Sequence, residues 1–163
     1  FNLPVKIVRP FNTYGPRQSG RAIIPTIISQ ILNGKKSIEL GNLSPTRDLT
    51  YVKDTCNAFI EIYKTNSLFG QVTNVGMNTE ISIGDLAQLI ANLMNVNLSI
   101  ESKEERIRPR NSEVERLVCD NLKLLKHTSW KSNYTLEQGI SEVIEWMENP
   151  ENLIMFKSGQ YNV

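Results

Sequence analysis

Val5-Lys6-Ile7-Val8-Arg9-Pro10-Phe11-Asn12-Thr13-Tyr14-Gly15-Pro16 opens on a β-branched run and closes on turn-forming residues. Ile23/Ile24, Ile27/Ile28 and Ile31/Leu32 then recur at intervals of four. Strand over 5–8, loop, then a helix with one buried stripe is the simplest reading. Gly34 follows where a C-cap glycine belongs. Outward from this stretch, Ser37 to Leu40 alternates as a strand does, 41–45 is a turn, and 49–52 is a second extended run. The spacing predicts a helix over 54–63 with Phe59, Ile60 and Tyr63 facing inward and Cys56 in the core. A strand over 71–75 ends at Gly76, and Ser82 with Asp85 has the capping-box pattern ahead of Ile83, Leu86, Leu89, Ile90 and Leu93. A weak strand over 98–101 leads into a charged loop over 103–116. Thr135 with Gln138 opens a last amphipathic helix through Leu136, Ile140, Val143, Ile144 and Met147. Alternating strands and helices make the class α/β, and 163 residues fit one globular unit.

Composition narrows the function. Eighteen Lys and Arg against seventeen Asp and Glu leave a net charge of +1, too balanced for a surface that coats nucleic acid. Cys56 and Cys119 are the only cysteines, too few and too far apart for a disulfide framework or a Cys-x-x-Cys pair. No apolar run reaches the ~18–20 residues needed to span a bilayer, and 1–10 lacks a signal-peptide core. The expectation is a cytoplasmic protein with no membrane partner. His127 is the single histidine, which disfavours His-based metal sites and reads as a capping or packing residue. Trp130 and Trp146 read as packing anchors.

The nine glycines nowhere form G-x-G-x-x-G, and no Walker loop, H-E-x-x-H or G-x-S-x-G occurs. No catalytic constellation is complete, and no metal site is expected. What the chain does hold suits a phosphorylated ligand. Arg17 and Arg21 precede the helix at Ile23, whose free amides and positive dipole end attract phosphate oxygens. Arg47, Arg108 and Arg110 lie in other loops, and a guanidinium matches phosphate bidentately. The same arginines also fit solvated surface charge. Asp48 and Asp54 bracket a strand, where helix capping and an Arg47–Asp48 contact are plainer than acid/base work.

Arg9-Pro10-Phe11-Asn12-Thr13-Tyr14-Gly15-Pro16-Arg17, Ile24-Pro25, and Gly41 followed by Arg47-Asp48-Leu49-Thr50-Tyr51-Val52-Lys53-Asp54 closely resemble the C-terminal half of extended short-chain dehydrogenases/reductases acting on nucleotide sugars. Asn74-Val75-Gly76, the Ser82 box, Arg108-Pro109 and Trp130-Lys131 keep that family's order. The stretch from Arg108 to Asp120 is most similar to NAD-dependent 4,6-dehydratases of N-acetylglucosamine nucleotides of the legionaminic-acid type, with glucose-nucleotide 4,6-dehydratases and 4-epimerases as near alternatives. The resemblance implies that residues 1–163 are a substrate-binding region plus the last elements of an NAD-binding Rossmann fold. It places Phe1 just after the family's catalytic helix. The family's glycine-rich NAD loop and Tyr-x-x-x-Lys pair have no counterpart here, since none of the five tyrosines has lysine four positions on.

Position by position, the resemblance implies that Asn12 hydrogen-bonds the sugar nucleotide and that Ala22 and Ile23 offer backbone amides. The strand from Ile38 to Leu40 flanks the base, and Arg47 and Arg108 hold the diphosphate. Asn74 lines the pocket and Glu113 meets the ribose. It further implies a UDP- or GDP-linked sugar as ligand, NAD as cofactor of the intact enzyme, a homodimeric intact enzyme, and an inactive chain when isolated. A stand-alone nucleotide- or phosphate-binding module is the competing reading.

Overall fold

The structure, a computed structural model, describes residues 3–103 and 114–156. Strand β1 (Ile7–Pro10) pairs in parallel with β6 (Val72–Val75), Ile7 opposite Val72. It begins two residues later than the β-branched run suggests, because Val5 is spent outside the ladder: its carbonyl accepts from Gly70 and its amide donates to Leu3. A second parallel pair joins β2 (Asn12–Tyr14) to β5 (Leu49–Tyr51), and a third joins β3 (Ser37–Leu40) to β8 (Ser99–Ser102). In a small mixed sheet, β4 (Thr46–Arg47) lies between antiparallel β7 (Ile81–Ser82) and parallel β9 (Arg116–Leu117). The fold is α/β with mostly parallel strands, as expected.

Three helices carry the larger core. These are α1 (Ile23–Leu32), α3 (Ile83–Leu93) and α5 (Leu136–Glu148). Ile24, Ile27, Ile28, Ile38, Leu40, Leu86, Ile90, Ile140 and Met147 interlock there with Tyr14 and Tyr51. α1 stops where the sequence places it, with Gly34 at φ +78 taking the left-handed turn that glycine adopts without a Cβ penalty. α3 starts at Ser82, whose hydroxyl accepts from the Asp85 amide at 3.0 Å. α5 starts with the full reciprocal box between Thr135 and Gln138. Gln30, almost wholly buried on α1, acts as a surrogate strand for β3: its amide accepts from Glu39 N at 3.1 Å and donates to Glu39 O at 3.3 Å.

The smaller core unites α2 (Val52–Lys64), β6 and α4 (Leu122–His127) through Ala58, Ile62, Val75, Leu124 and Trp130. Here the structure corrects the expected helix face. Phe59, Ile60 and Tyr63 are exposed, Tyr63 at 83%, while Asp54, Thr55, Ala58 and Ile62 face inward. Asp54 sets this rotation. Its buried carboxylate accepts from the Asn133 and Tyr134 amides at 2.9 and 3.2 Å and from the Ser132 hydroxyl at 3.0 Å. With about 100° of turn per residue, fixing Asp54 inward brings positions 58 and 62 in and turns 59, 60 and 63 out. Cys56, expected in the core, is exposed for the same reason.

Trp130 is an anchor, buried and donating its indole N–H to Asp54 O at 3.0 Å. His127 is exposed in the last turn of α4. A short helix α6 (Pro150–Leu153), which the sequence reading did not anticipate, follows α5 through an Asn149 cap.

Candidate functional site

The loop after β2 turns back into α1, and the loop after β3 returns as β4, so both open on one cavity of about 310 Å³. Its walls are Asn12 from β2, Gln18 and Arg21 from the first loop, and Ala22, Ile23, Ile24 and Thr26 from the start of α1. Leu40 ends β3, Gly41, Asn42 and Pro45 come from the second loop, and Arg47, Leu49 and Ile83 complete the lining. Six of the residues singled out from sequence, Asn12, Arg21, Ala22, Ile23, Leu40 and Arg47, therefore meet around one space. Ile38 does not: it is fully buried in the larger core, on the same face of β3 as Leu40 but two residues further from the loop that opens on the cavity. Asn74 lies on β6 opposite Arg9, apart from this lining. Arg108, Arg110 and Glu113 lie outside the described residues.

The helix start is suited to an anion. Ala22 at the N-cap makes no side-chain cap bond, and the first turn carries no acidic residue. Pro25 has no N–H to offer. The Ala22 amide is itself taken by Ser19 O at 2.9 Å, which corrects the expectation that it faces a ligand. The Ile23 and Ile24 amides are the donors at this end, where the helix dipole is positive. Arg21 adds a guanidinium at the same mouth, while Arg17 is exposed at φ 67 and does not line the cavity.

Arg47 is held from below. Its Nη1 donates to Thr46 O at 2.8 Å and to Val114 O at 2.6 Å. Asn12 donates through Nδ2 to Asp48 O at 3.2 Å, so the first and last walls are tied together. Asp48 does not pair its carboxylate with Arg47 as the sequence suggested. It is fully buried and accepts from the backbone amides of Met77, Asn78 and Cys119 at 2.8, 2.9 and 3.0 Å. Three converging N–H groups satisfy a carboxylate as well as an ion pair does, without leaving a guanidinium in the core.

Arg47 and Leu49 also wall a second, smaller cavity of about 100 Å³, lined by Tyr14, Tyr51, Tyr134, Met77 and Glu80 among others. Burial, more than any neighbouring charge, raises the Tyr14 and Tyr51 hydroxyls well above the usual phenol range. Both therefore stay protonated at neutral pH, Tyr14 donating to Leu136 O at 3.2 Å and Tyr51 to Glu142 at 2.5 Å. Neither is placed as a base. Gln18, Thr26 and Asn42 are cavity residues that the sequence reading missed. Gln18 had a signal in lying between Arg17 and Arg21 on one short loop, whereas Thr26 and Asn42 had none. Among the described residues, no group of three or more His, Cys, Asp or Glu could hold a metal ion, and no helix is long and apolar enough to cross a membrane.

Comparison with known proteins agrees with this architecture. Residues 1–143 match the family described as GDP-mannose 4,6 dehydratase. The UDP-N-acetyl-alpha-D-glucosaminuronate decarboxylase of Bacillus cytotoxicus is 34% identical over 155 residues, covering 92% of this chain and 48% of that protein. The solved dTDP-glucose 4,6-dehydratase of Bacillus anthracis, in complex with NAD, superposes with a TM-score of 0.81 at 29% identity, over 93% of this chain and 47% of that one. The UDP-N-acetylglucosamine 4-epimerase of Methanobrevibacter ruminantium, in complex with UDP-N-acetylmuramic acid, superposes with a TM-score of 0.73 at 26% identity, over 86% of this chain and 44% of that one. The chain thus spans about half the length of the relatives it matches. Matched over most of its residues and sharing the relatives' Rossmann-type α/β fold, it belongs to the GDP-mannose 4,6 dehydratase family, among the extended short-chain dehydrogenases/reductases that include nucleotide-sugar 4,6-dehydratases and epimerases.

Proposed function

We propose that residues 1–163 are the substrate-binding C-terminal region of an NAD-dependent nucleotide-sugar 4,6-dehydratase, and that the cavity at the start of α1 takes a UDP- or GDP-linked sugar. The observation that carries this reading is the meeting of the free α1 amides, Arg21, Arg47 and Asn12 around one space of about 310 Å³, within the common size of small-ligand pockets. The amides and guanidiniums supply donors for the diphosphate. Asn12 adds a polar side chain beside them, and Leu40 and Ile83 an apolar wall for the base.

The chain's residues do not make a dinucleotide site of their own. β1 runs through Phe11 directly into β2 rather than through a glycine turn into a helix, and the sequence has no G-x-G-x-x-G. NAD and the tyrosine base are assigned to the remainder of an intact, homodimeric enzyme, and the isolated chain is inactive. An NAD-dependent 4-epimerase would use the same binding half, and the solved epimerase supports keeping that as the second reading.

Isothermal titration of the chain with UDP- and GDP-sugars tests the assignment. Binding of one nucleotide class is expected, weakened at least ~10-fold by Arg47→Ala, the loss of one charge-assisted contact. Absence of binding to either class overturns it, and turnover by the chain with added NAD overturns the inactivity.

A further inference from the structure

We propose that Glu80 is a positioning residue for the anion clamp at Arg47, acting through Thr46 and Arg116. The proposal rests on the reading of the cavity at the start of α1 given above. The clamp stands on little backbone. β4 and β9 pair over only two residues each, Thr46 opposite Arg116 and Arg47 opposite Leu117, where strands of three or more are usual. Yet β9 must stay in place, because Val114, two residues ahead of it, supplies a carbonyl that accepts from the Arg47 guanidinium. Thr46 O, on β4 itself, is another acceptor of the same Nη1. Any slip between these strands moves one carbonyl relative to the other and re-aims Arg47.

Glu80 spans that junction. Arg116 Nε lies 2.9 and 3.0 Å from its two carboxylate oxygens and Arg116 Nη2 lies 2.7 Å from one of them. The Thr46 hydroxyl donates to Oε2 at 2.5 Å. One carboxylate therefore grips both strands, Arg116 in the fork-like geometry that distinguishes a directional pair from a loose surface contact. Glu80 is itself anchored. Three residues earlier its segment is pinned by the buried Asp48, which takes the Met77 and Asn78 amides. Asp48 is the residue after Arg47, and its own amide donates to Leu117 O at 2.9 Å. The brace is thus closed at both ends, and its effect falls on the carbonyls under Arg47.

The test measures dissociation constants of the chain for UDP and for uridine by NMR titration, with GDP and guanosine run in parallel, in the parent and in Glu80→Gln, Thr46→Val and the charge-exchanged pair Glu80→Arg/Arg116→Glu. Glu80→Gln is expected to weaken the nucleoside diphosphate about three- to ten-fold while the nucleoside changes less than about two-fold, the scale of one misaligned charge-assisted bond. Thr46→Val, which spares the ion pair, is expected to give a smaller loss in the same direction, and the exchanged pair is expected to recover affinity. The spectra also report whether each variant folds, so an unfolded Glu80→Gln leaves the decision to Thr46→Val and the exchanged pair. Unchanged diphosphate affinity, or equal losses for diphosphate and nucleoside with a lowered unfolding midpoint, overturns the proposal and leaves Glu80 a stabilising residue only. If the parent chain binds no diphosphate, the reading of the cavity falls instead, and this inference with it.

Discussion

Cys119 and Cys56 show how much a single side chain's surroundings decide. Cys119 is buried against Gly76, and its amide donates to Asp48. Burial first, and the Asp48 and Asp120 carboxylates second, push its thiol up to about 12. Cys56 is exposed on α2. A thiol-specific reagent at pH 8 is expected to titrate one thiol in the native chain and two after denaturation, since the thiolate is the reactive form. The folded thiol's raised value also sets a sign. Its contribution to stability is complete below the unfolded value of about 8.5, and it is lost as pH rises from there toward about 12. Both native thiols reacting at pH 8 would count against this placement. Asp48 belongs to the same scale. Its acidity next to Arg47 was plain in the sequence, but its true partners are amides 29 to 71 residues away, which no local pattern announces.

At the scale of elements, capping signals were the most legible. Ser82, Thr135 with Gln138, and Gly34 all act where the sequence places them, because a cap is satisfied by residues three or four positions away. The inward face of α2 was not legible. Phe59, Ile60 and Tyr63 are most of its bulky apolar residues, yet Asp54 points in to hold the turn at Ser132–Tyr134 and carries Ala58 and Ile62 with it. Ile62→Ala is expected to cost about 2–5 kcal/mol in urea unfolding, the range for a large-to-small core change. Tyr63→Ala is expected to stay within about 0.5 kcal/mol. A reversed order would mean that α2 sits rotated from the face described.

Across the whole molecule, the walls of the cavity at the start of α1 come from β2 and the loop after it, α1, the end of β3 and the loop after it, Arg47 of β4, Leu49 of β5 and the first residue of α3. Ile23, Ile24, Leu40, Leu49 and Ile83 among them pack in or against the larger core, so a ligand there contacts much of what must come apart on unfolding. At free UDP or GDP near 100 times its dissociation constant, binding is expected to add about 2.7 kcal/mol to stability, visible as a raised melting temperature. Arg47→Ala should remove most of that rise at the same ligand concentration. A shift unaffected by Arg47→Ala would place the ligand elsewhere.

The sequence by itself determined the α/β class, most element types and the family, because periodicity, caps and the runs from Arg9 to Arg17 and Arg47 to Asp54 are local and survive without coordinates. It also brought forward Asn12, Ile23 and Arg47. Only the tertiary structure decided that these three share a cavity with Gln18, Thr26 and Asn42, that Ile38 points into the core instead, and that Ser19 takes the Ala22 amide. It alone decided that Asp48, Asp54 and Glu80 tie together segments distant in the chain. The physical reason is the same in each case. A carboxylate or an amide takes whichever partner the packing of remote helices and strands brings within about 3 Å, and that distance is written in the fold rather than in the neighbouring residues.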